Sequence, residues 1–476
     1  MMRLFFITAL SLLVLFTATP GSAVDRPPNI LLIIVDDLRP ELGSYGSEHI
    51  HSPNMDRLAE QGVLFERAYS NVPVCGASRA SMLTGLRPSR ERFLSYKTWA
   101  DEDAPAVVDL PGYLKARGYT TISLGKVFHH QRDRSASWSR GPWHPRVDAP
   151  GNSGTHRNYQ LRESHRQFRK DRKGPPVEAA DVQDNAYYDG KIADRAVSEL
   201  NRIAQQEQDS PFFMAVGFLK PHLPFNAPRK YWQLYDLEKI QPAPNPSLPL
   251  HAPKQAGHPW DELRKYTGIP GGREPVSEEM ARHLRHGYYA CVSYTDAQVG
   301  RVMQMLEATD LAENTIVFLL SDHGFSLGEH GLWAKHSPFD LATRIPLIVR
   351  GLGIPAGKRA AGLVELVDVY PTILDLLELP RPPHLAGQSF RPLLSRPERA
   401  GKDAVFPRWK NADVVRSGRY SYTQWIGADG ERRAEMLFDL ADDPGETLNL
   451  AKRPRYKPVI KRLRALQRSM EKQRGR

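Results

Sequence analysis

The chain has 476 residues, of which 41% are hydrophobic, and it carries a formal net charge of +11 at pH 7. This length and composition are sufficient for one large hydrophobic core and a second, smaller one. Two cysteines are too few for a disulfide framework, and the sequence has no nucleic-acid recognition motif, so we expect no nucleic-acid partner.

The N-terminus has the pattern of a secretory signal peptide. Arg3 precedes an apolar run over residues 4–17, and small residues at 21–23 provide a cleavage site near Ala23. A membrane anchor is the alternative, but the run is shorter than the ~20 residues that a span requires. We therefore predict export to the periplasm or the extracellular space, without stable membrane insertion.

Four apolar runs predict strands that are buried on both faces, as in a parallel sheet. They span residues 29–35, 120–124, 212–219 and 315–320. The polar residues that follow them are, in chain order, Asp36 and Asp37, Lys126 and His129, Lys220 and His222, and Asp322 and His323. Open α/β sheets bind ligands at the carboxyl ends of their strands. The sequence therefore predicts one polar site at one edge of a parallel sheet.

Asp36 and Asp37 indicate a metal ion at this edge. Two adjacent carboxylates at the end of a buried strand are costly unless they bind something, and an oxygen-rich site favours Ca²⁺ or Mg²⁺. A turn with solvated aspartates is the alternative.

A further predicted strand, residues 63–69, leads to a cysteine at the start of a helix. Unpaired N–H groups and the helix dipole favour an anion near Cys75, and Arg79 adds a cation one turn later. The alternatives are a buried structural cysteine or a disulfide with Cys291. We expect Cys291 to be a free, packed thiol, because it lies in a helix predicted over residues 278–308.

The remaining chain divides into helices, one more strand and two irregular insertions. Helices are predicted over residues 52–62, 111–118 and 184–203 and from about residue 368, and a strand over residues 344–349. Residues 131–176 and 240–276 lack periodicity and are assigned no site residue. Positive charge is concentrated in residues 131–173 and 452–476, where it could attract a sulfated polysaccharide or form an ordinary solvated surface.

The parallel pattern stops near residue 390. Strands over residues 419–425 and 435–440 and a basic helix over 458–472 predict a small antiparallel sheet with one helix. We predict a signal peptide over residues 1–23, a catalytic domain over 24–390 and a C-terminal α+β subdomain over 391–476.

The stretch around Cys75 resembles the signature of the sulfatase family. The matching positions are Cys75, Ala77, Ser78, Arg79, Thr84 and Gly85. Strings at residues 32–40, 125–129, 220–222 and 333–335 resemble the iduronate-2-sulfatase branch, as does His323, where many sulfatases have asparagine. The likeness covers residues 27–380, and residues 437–450 resemble the C-terminal segment of bacterial sulfatases. It implies an alkaline-phosphatase-like α/β fold, in which helices sandwich a large mixed, mostly parallel sheet, with a small C-terminal antiparallel-sheet subdomain.

The resemblance also implies cofactors. In sulfatases the cysteine is converted to formylglycine, whose hydrate attacks the sulfur of a sulfate ester. The implied Ca²⁺ ligands are Asp36, Asp37, Asp322, His323 and the formylglycine at position 75. A formylglycine-generating maturation enzyme is an implied partner. Ala77 stands where the oxygen-dependent maturation enzyme favours proline, so the choice between that enzyme and an anaerobic radical enzyme stays open.

By the same resemblance, six residues carry the catalysis: Cys75, Arg79, Lys126, His129, His222 and Lys335. Lys126 and Lys335 neutralise the sulfate oxygens, and Arg79 holds the attacking hydroxyl. His129 accepts a proton from the remaining hydroxyl, and His222 with Lys335 protonates or stabilises the leaving oxygen. A loop-packing histidine and a surface lysine are the alternatives for His222 and Lys335.

The resulting hypothesis is a secreted, calcium-dependent sulfatase of sulfated oligosaccharides or polysaccharides, with 2-O-sulfated uronic acid as the substrate. One alternative is a phosphomonoesterase or phosphodiesterase of the same superfamily, which usually has threonine or serine at position 75 and more ligands, for two zinc ions. The other is a catalytically silent glycan-binding protein.

Overall fold

The computed structural model describes residues 26–146, 157–206, 210–259, 261–272 and 274–474. The predicted signal peptide lies outside these residues. The strands of the described chain are β1 (Asn29–Val35), β2 (Val63–Phe65), β3 (Ala68–Tyr69), β4 (Thr120–Gly125), β5 (Val177–Ala180), β6 (Phe212–Phe218), β7 (Phe225–Pro228), β8 (Thr315–Ser321), β9 (Ser326–Leu327), β10 (Trp333–Ala334), β11 (Arg344–Ile345), β12 (Leu347–Arg350), β13 (Lys358–Ala360), β14 (Val364–Glu365), β15 (Arg408–Trp409), β16 (Ala412–Ser417), β17 (Tyr420–Ile426) and β18 (Arg432–Asp439). Its α-helices are α1 (Pro53–Glu60), α2 (Cys75–Thr84), α3 (Ala100–Asp103), α4 (Leu110–Lys115), α5 (Arg162–Asp171), α6 (Tyr188–Gln205), α7 (Arg229–Trp232), α8 (Glu278–Glu307), α9 (Asp340–Thr343), α10 (Val369–Leu376), α11 (Arg391–Ser395) and α12 (Lys457–Arg474). Within these ranges, no helix has the length and apolar character that crossing a membrane requires.

The central sheet has the strand order β13-β2-β12-β8-β1-β6-β4. Strand β1 pairs in parallel with β6 and β8, and β4 pairs in parallel with β6, whereas β12 runs antiparallel to both β8 and β2. Val35 lies opposite both Phe218 and Ser321, so β1, β6 and β8 end side by side. The predicted fold class, a mixed and mostly parallel sheet, is confirmed.

Helices cover both faces of this sheet because successive side chains of a strand point to opposite sides. Leu31, Ile33 and Val35 are buried against residues of α1, α6 and α8. Ile30, Leu32 and Ile34 are buried in a second cluster, with residues of α2, α4 and α10. The continuous apolar run of β1 is therefore explained by burial on both faces.

Two predicted strands are each divided between two sheets. Residues 63–69 form β2 in the central sheet and β3 in a three-stranded sheet with β11 and β14. Residues 344–349 are divided in the same way at Pro346, whose nitrogen cannot donate to a strand ladder. The two breaks face each other, because β2 pairs with β12 and β3 pairs with β11.

The first insertion contains a helix that the sequence analysis did not predict. Only Ser164 and Phe168 of α5 are buried, so its ten residues present too narrow an apolar face to produce a clear period. Cys75 and Cys291 are both free and buried, as predicted for Cys291.

The C-terminal sheet has four antiparallel strands in the order β15-β16-β17-β18. Helix α12 packs on it through Ile460 and Leu463, which join Val415, Tyr422 and Leu437 in a small core. The two predicted strands and the helix are confirmed, whereas β15 and β16 were not predicted. The domain boundary near residue 390 stays a prediction.

Candidate active site

The carboxyl ends of β1, β4, β6 and β8 meet beside the N-terminus of α2 and form the floor of a cavity of about 710 Å³. Five of the six residues predicted to be catalytic line this cavity, namely Cys75, Lys126, His129, His222 and Lys335. The sixth, Arg79, is fully buried behind them. The polar residues at the four strand ends are thus brought together, except Lys220, whose Nζ donates to the backbone oxygens of His222 and Pro224.

Cys75 is the first residue of α2, as the sequence predicts, and its thiol is 2% exposed. Gly76 allows this turn of the helix to approach the backbone of Tyr96, since a Cβ at position 76 would lie 2.5 Å from the Tyr96 oxygen. Burial, reinforced by the Asp36 carboxylate, raises the pKa of the Cys75 thiol well above its usual value. The residue at the centre of the site is therefore a neutral thiol in this state.

Four of the five predicted metal ligands form a compact group. Ligand atoms of Asp36, Asp37, Cys75 and His323 all lie within 4.8 Å of one another, and all four residues are buried. The Nδ1 of His323 lies 2.9 Å from the Gly324 oxygen and donates to it, which leaves the Nε2 lone pair directed at Cys75 Sγ, 3.1 Å away, and Asp37 Oδ1, 3.4 Å away. A backbone acceptor on the far nitrogen is the usual arrangement of a metal-bound histidine. Converging lone pairs on buried oxygen and nitrogen atoms fit a divalent cation.

Asp322, the fifth predicted ligand, lies beside this group and is bound by Arg79. Its Oδ2 accepts from Arg79 Nε at 2.7 Å, and its Oδ1 accepts from the Asp37 backbone at 3.3 Å. Arg79 also lies 3.3 Å from Asp36 Oδ1 and donates to the backbone oxygens of Lys126 and Val127. Each nitrogen of the guanidinium group has a protein acceptor, so Arg79 fixes two carboxylates and compensates part of their charge.

Lys126 and His129 form the next part of the wall. Lys126 Nζ donates to Asp36 Oδ2, and Lys126 and Arg79 lower the pKa of the Asp36 carboxyl although burial opposes them. Burial, together with the Lys126 charge, lowers the pKa of His129 to about 2. Its Nδ1 is buried without a hydrogen-bond partner among the described residues. His129 is thus a neutral imidazole.

Glu262 joins the two remaining predicted residues and was missed by the sequence analysis. Its Oε1 lies 3.0 Å from His222 Nε2 and 2.9 Å from Lys335 Nζ. Lys335 Nζ also donates to both oxygens of Asp37, and His222 Nδ1 lies 2.5 Å from the Leu223 oxygen. Both ring nitrogens of His222 therefore face acceptor oxygens. Glu262 follows Asp261 in the irregular segment 240–276, where no local pattern marks it.

Comparison with protein families finds two matches along the chain. The model described as "Sulfatase" matches residues 28–379, and the model described as "N-sulphoglucosamine sulphohydrolase, C-terminal" matches residues 328–474.

Individual proteins are similar over nearly the whole chain. Iduronate 2-sulfatase of Mus musculus is 35% identical over 505 aligned residues, which cover 90% of this chain and 89% of that protein. A solved structure described as a 2-O GAG sulfatase has a TM-score of 0.69 and 25% identity and covers 94% of this chain and 93% of its own. The phosphonate monoester hydrolase of Agrobacterium radiobacter has a TM-score of 0.73 at 24% identity, covering 94% of this chain and 96% of its own, which shows a shared fold alone.

Proposed function

The chain belongs to the sulfatase family, and on that premise we propose that it is an exported, calcium-dependent enzyme that removes sulfate from 2-O-sulfated uronic acid units of glycans. Family membership makes it a sulfuric ester hydrolase. The single observation that carries the proposal is the convergence of Cys75, buried carboxylates and three permanent cations at one end of the central sheet.

The proposed metal ion is Ca²⁺, held by Asp36, Asp37, His323, Asp322 and the oxygen of the modified residue 75. Carboxylate oxygens are the ligands that this hard cation prefers. Bound there, Ca²⁺ would withdraw charge from the sulfate oxygens as a Lewis acid. Arg79 supports the set from behind by fixing Asp36 and Asp322.

We further propose that Cys75 is converted to formylglycine by a maturation enzyme, which accepts Ala77 in place of proline. The hydrated aldehyde supplies an oxygen nucleophile and a second hydroxyl, whereas a thiol would form a stable dead-end ester. The N-terminus of α2 directs its free N–H groups toward an anion at this position.

Each of the other residues either neutralises negative charge or transfers a proton. Lys126 and Lys335 present ammonium groups to the cavity and stabilise the sulfate oxygens as negative charge moves during the reaction. His129 lines the cavity with its Nδ1 unpaired among the described residues, and we assign it the proton of the second hydroxyl at position 75. On the opposite side, His222 is held by Glu262 and donates a proton to the leaving sugar oxygen, and Lys335 assists.

The substrate assignment rests on two similarities, to an iduronate 2-sulfatase and to a 2-O GAG sulfatase. The phosphoesterase alternative has support from the fold alone. The predicted signal peptide supports export, and the cations lining the cavity suit an acidic glycan.

The test combines one mass measurement with one assay. The tryptic peptide 68–79 from protein made in its native host should carry an aldehyde in place of the Cys75 thiol. The same protein should release sulfate from 2-O-sulfated uronic acid saccharides and leave the matching phosphate esters largely intact. An unmodified thiol in folded native protein, or preferential cleavage of the phosphate esters, would refute the proposal.

A further inference from the structure

The C-terminal sheet contributes one hairpin to the cavity. Strands β15 and β16 are antiparallel, with Trp409 opposite Ala412, so Lys410 and residue 411 form the tip. Trp409 and Lys410 both line the cavity. The hairpin is tied to the catalytic domain because the Arg408 backbone N–H donates to the Asn71 oxygen at 2.9 Å, four residues before Cys75.

The hairpin lies next to the catalytic lysine. The Trp409 ring centroid is 5.0 Å from that of His336, which directly follows Lys335. The His336 backbone N–H donates to the Pro73 oxygen at 3.3 Å, close to the start of α2. Trp409 therefore contacts the residue that follows the catalytic Lys335, and it lies near a ligand whose sulfate group reaches Cys75.

Lys410 is a cation without an acidic partner. It is exposed, and no ion pair involves it in the part of the chain that the structure describes, where its Nζ lies 5.3 Å from the centroid of the Trp409 ring. Arg157 and Lys265 line the same cavity, also without a carboxylate partner among the described residues. A cation held at a cavity wall by an aromatic ring is available to an anionic ligand.

The backbone of this wall is strained. Lys410 has a φ of 51° and His336 a φ of 70°, although neither is glycine, and Ala334 has a φ of 66°. Such positions cost free energy and occur preferentially at ligand-binding sites. His336 and Lys410 line the cavity, and Ala334 directly precedes the lining residue Lys335.

We propose that Trp409 and Lys410 form a subsite for the sugar unit next to the sulfated one, and that this second unit carries an anionic group that pairs with Lys410. The inference rests on the proposed function and deepens it, because it makes an acidic oligosaccharide the substrate. A cavity of about 710 Å³ is within the range that holds a ligand larger than a single sugar. The anionic group is a carboxylate or a sulfate ester.

The test is equilibrium binding by calorimetry to the inactive Cys75→Ala variant with calcium present. The probes are a 2-O-sulfated uronic acid monosaccharide and three disaccharides in which the second unit is neutral, carboxylated or sulfated. A disaccharide with an anionic second unit should bind about tenfold more tightly than the monosaccharide, as a charged hydrogen bond provides. Comparing the affinities of the carboxylated and sulfated probes shows which of the two anionic groups the subsite binds.

Further substitutions in the Cys75→Ala variant identify the residues responsible for the preference for an anionic second unit. Lys410→Gln and Trp409→Ala should each abolish the preference for the anionic disaccharide, and Trp409→Phe should retain part of it. The matched control is Lys358→Gln, which changes an exposed lysine of β13 and should keep the full preference. Equal binding of all four probes, or an unchanged preference in Lys410→Gln and Trp409→Ala, would overturn the subsite while leaving the sulfatase proposal intact. Failure of every sulfated probe to bind would instead overturn the proposed function and the subsite with it.

Discussion

Two of the buried charge clusters in the described part of the chain look alike in composition and differ in completeness. The first is the active-site cluster, in which Arg79, Lys126 and Lys335 contact the carboxylates of Asp36, Asp37, Asp322 and Glu262. The second, which we call the closed cluster, consists of Arg87, Lys402, Glu365 and Asp368.

In the closed cluster every carboxylate oxygen has a partner. Glu365 accepts from Arg87, from Lys402 at 2.9 Å and from the Phe406 backbone at 2.8 Å. Asp368 accepts from Lys402 at 2.6 Å and from the Glu365 backbone at 2.9 Å. Two cations balance two carboxylates, so the cluster requires no ligand.

The active-site cluster is open and incomplete by the same criteria. Four carboxylates stand against three permanent cations, and Glu262 Oε2 and His129 Nδ1 are buried without a partner among the described residues. Both clusters border a cavity, but the one at the active site is larger, about 710 Å³ against about 370 Å³. The comparison teaches that buried charge alone does not identify an active site, whereas unsatisfied buried groups beside a cavity do.

The largest effect should come from replacing Cys75, the residue at the centre of the active-site cluster. Cys75→Ala removes the proposed nucleophile, so we expect turnover of a sulfated saccharide to fall about 10⁵- to 10⁶-fold, as when other catalytic nucleophiles are removed. The unfolding midpoint should change little, because alanine fits where the buried thiol lies. Measurable turnover of more than one hundredth of the wild-type rate would assign the chemistry to another group.

The second effect tests the closed cluster. Arg87→Met leaves Glu365 with one of its two cations, and we expect the free energy of unfolding to fall by about 3 kcal/mol, since breaking a buried pair leaves an uncompensated charge. The rate per folded molecule should remain within a few-fold of wild type. Denaturant unfolding and assays well below the transition measure both quantities.

The control for this substitution is Arg90→Met. The Arg90 side chain is 45% exposed, so its loss should cost about 0.5 kcal/mol or less. If Arg87→Met removed activity from fully folded protein, the closed cluster would belong to the catalytic apparatus.

Calcium should stabilise the protein through the active-site cluster and not through the closed cluster. At a free concentration about 100 times its Kd, Ca²⁺ should raise the free energy of unfolding by about 2.7 kcal/mol, and a chelator should reverse this and abolish turnover. Asp37→Asn should eliminate the calcium effect, whereas Asp368→Asn, an identical change in the closed cluster, should keep it. Thermal unfolding with and without calcium provides the measurement, and equal responses of the two variants would contradict the proposed metal site.

The parts of the active site that the sequence predicts are those encoded locally. The residues after β1, β4, β6 and β8 are recognisable because an apolar run ends abruptly in polar residues, and parallel strands must end at the same edge. Cys75 is recognisable from the small residues that continue its helix.

The residues that the sequence does not predict reach the site through long-range folding. Glu262 lies in an irregular segment, and Trp409 and Lys410 lie at the tip of a hairpin whose strands β15 and β16 have no long alternating pattern. No local period specifies where such segments pack. The break between β2 and β3 was missed for a related reason, because it depends on pairing with a strand nearly 300 residues away.

The smallest effect should come from Glu262, where the open cluster meets the leaving group. Glu262→Gln keeps an oxygen near Lys335 Nζ but removes the carboxylate that holds His222 Nε2, which should impair proton donation by His222. On a sulfated saccharide, whose alkoxide leaving group needs a proton, we expect kcat to fall about tenfold to 100-fold. On an aryl sulfate whose leaving phenolate is already stable, the loss should stay below about threefold, because no proton is required.

The control is Asp261→Asn, the same change at the exposed neighbouring residue of the cavity wall, which should lower turnover of the two substrates to the same extent or not at all. Equal losses on both substrates in Glu262→Gln would mean that Glu262 holds the wall of the cavity in place and takes no part in proton donation by His222.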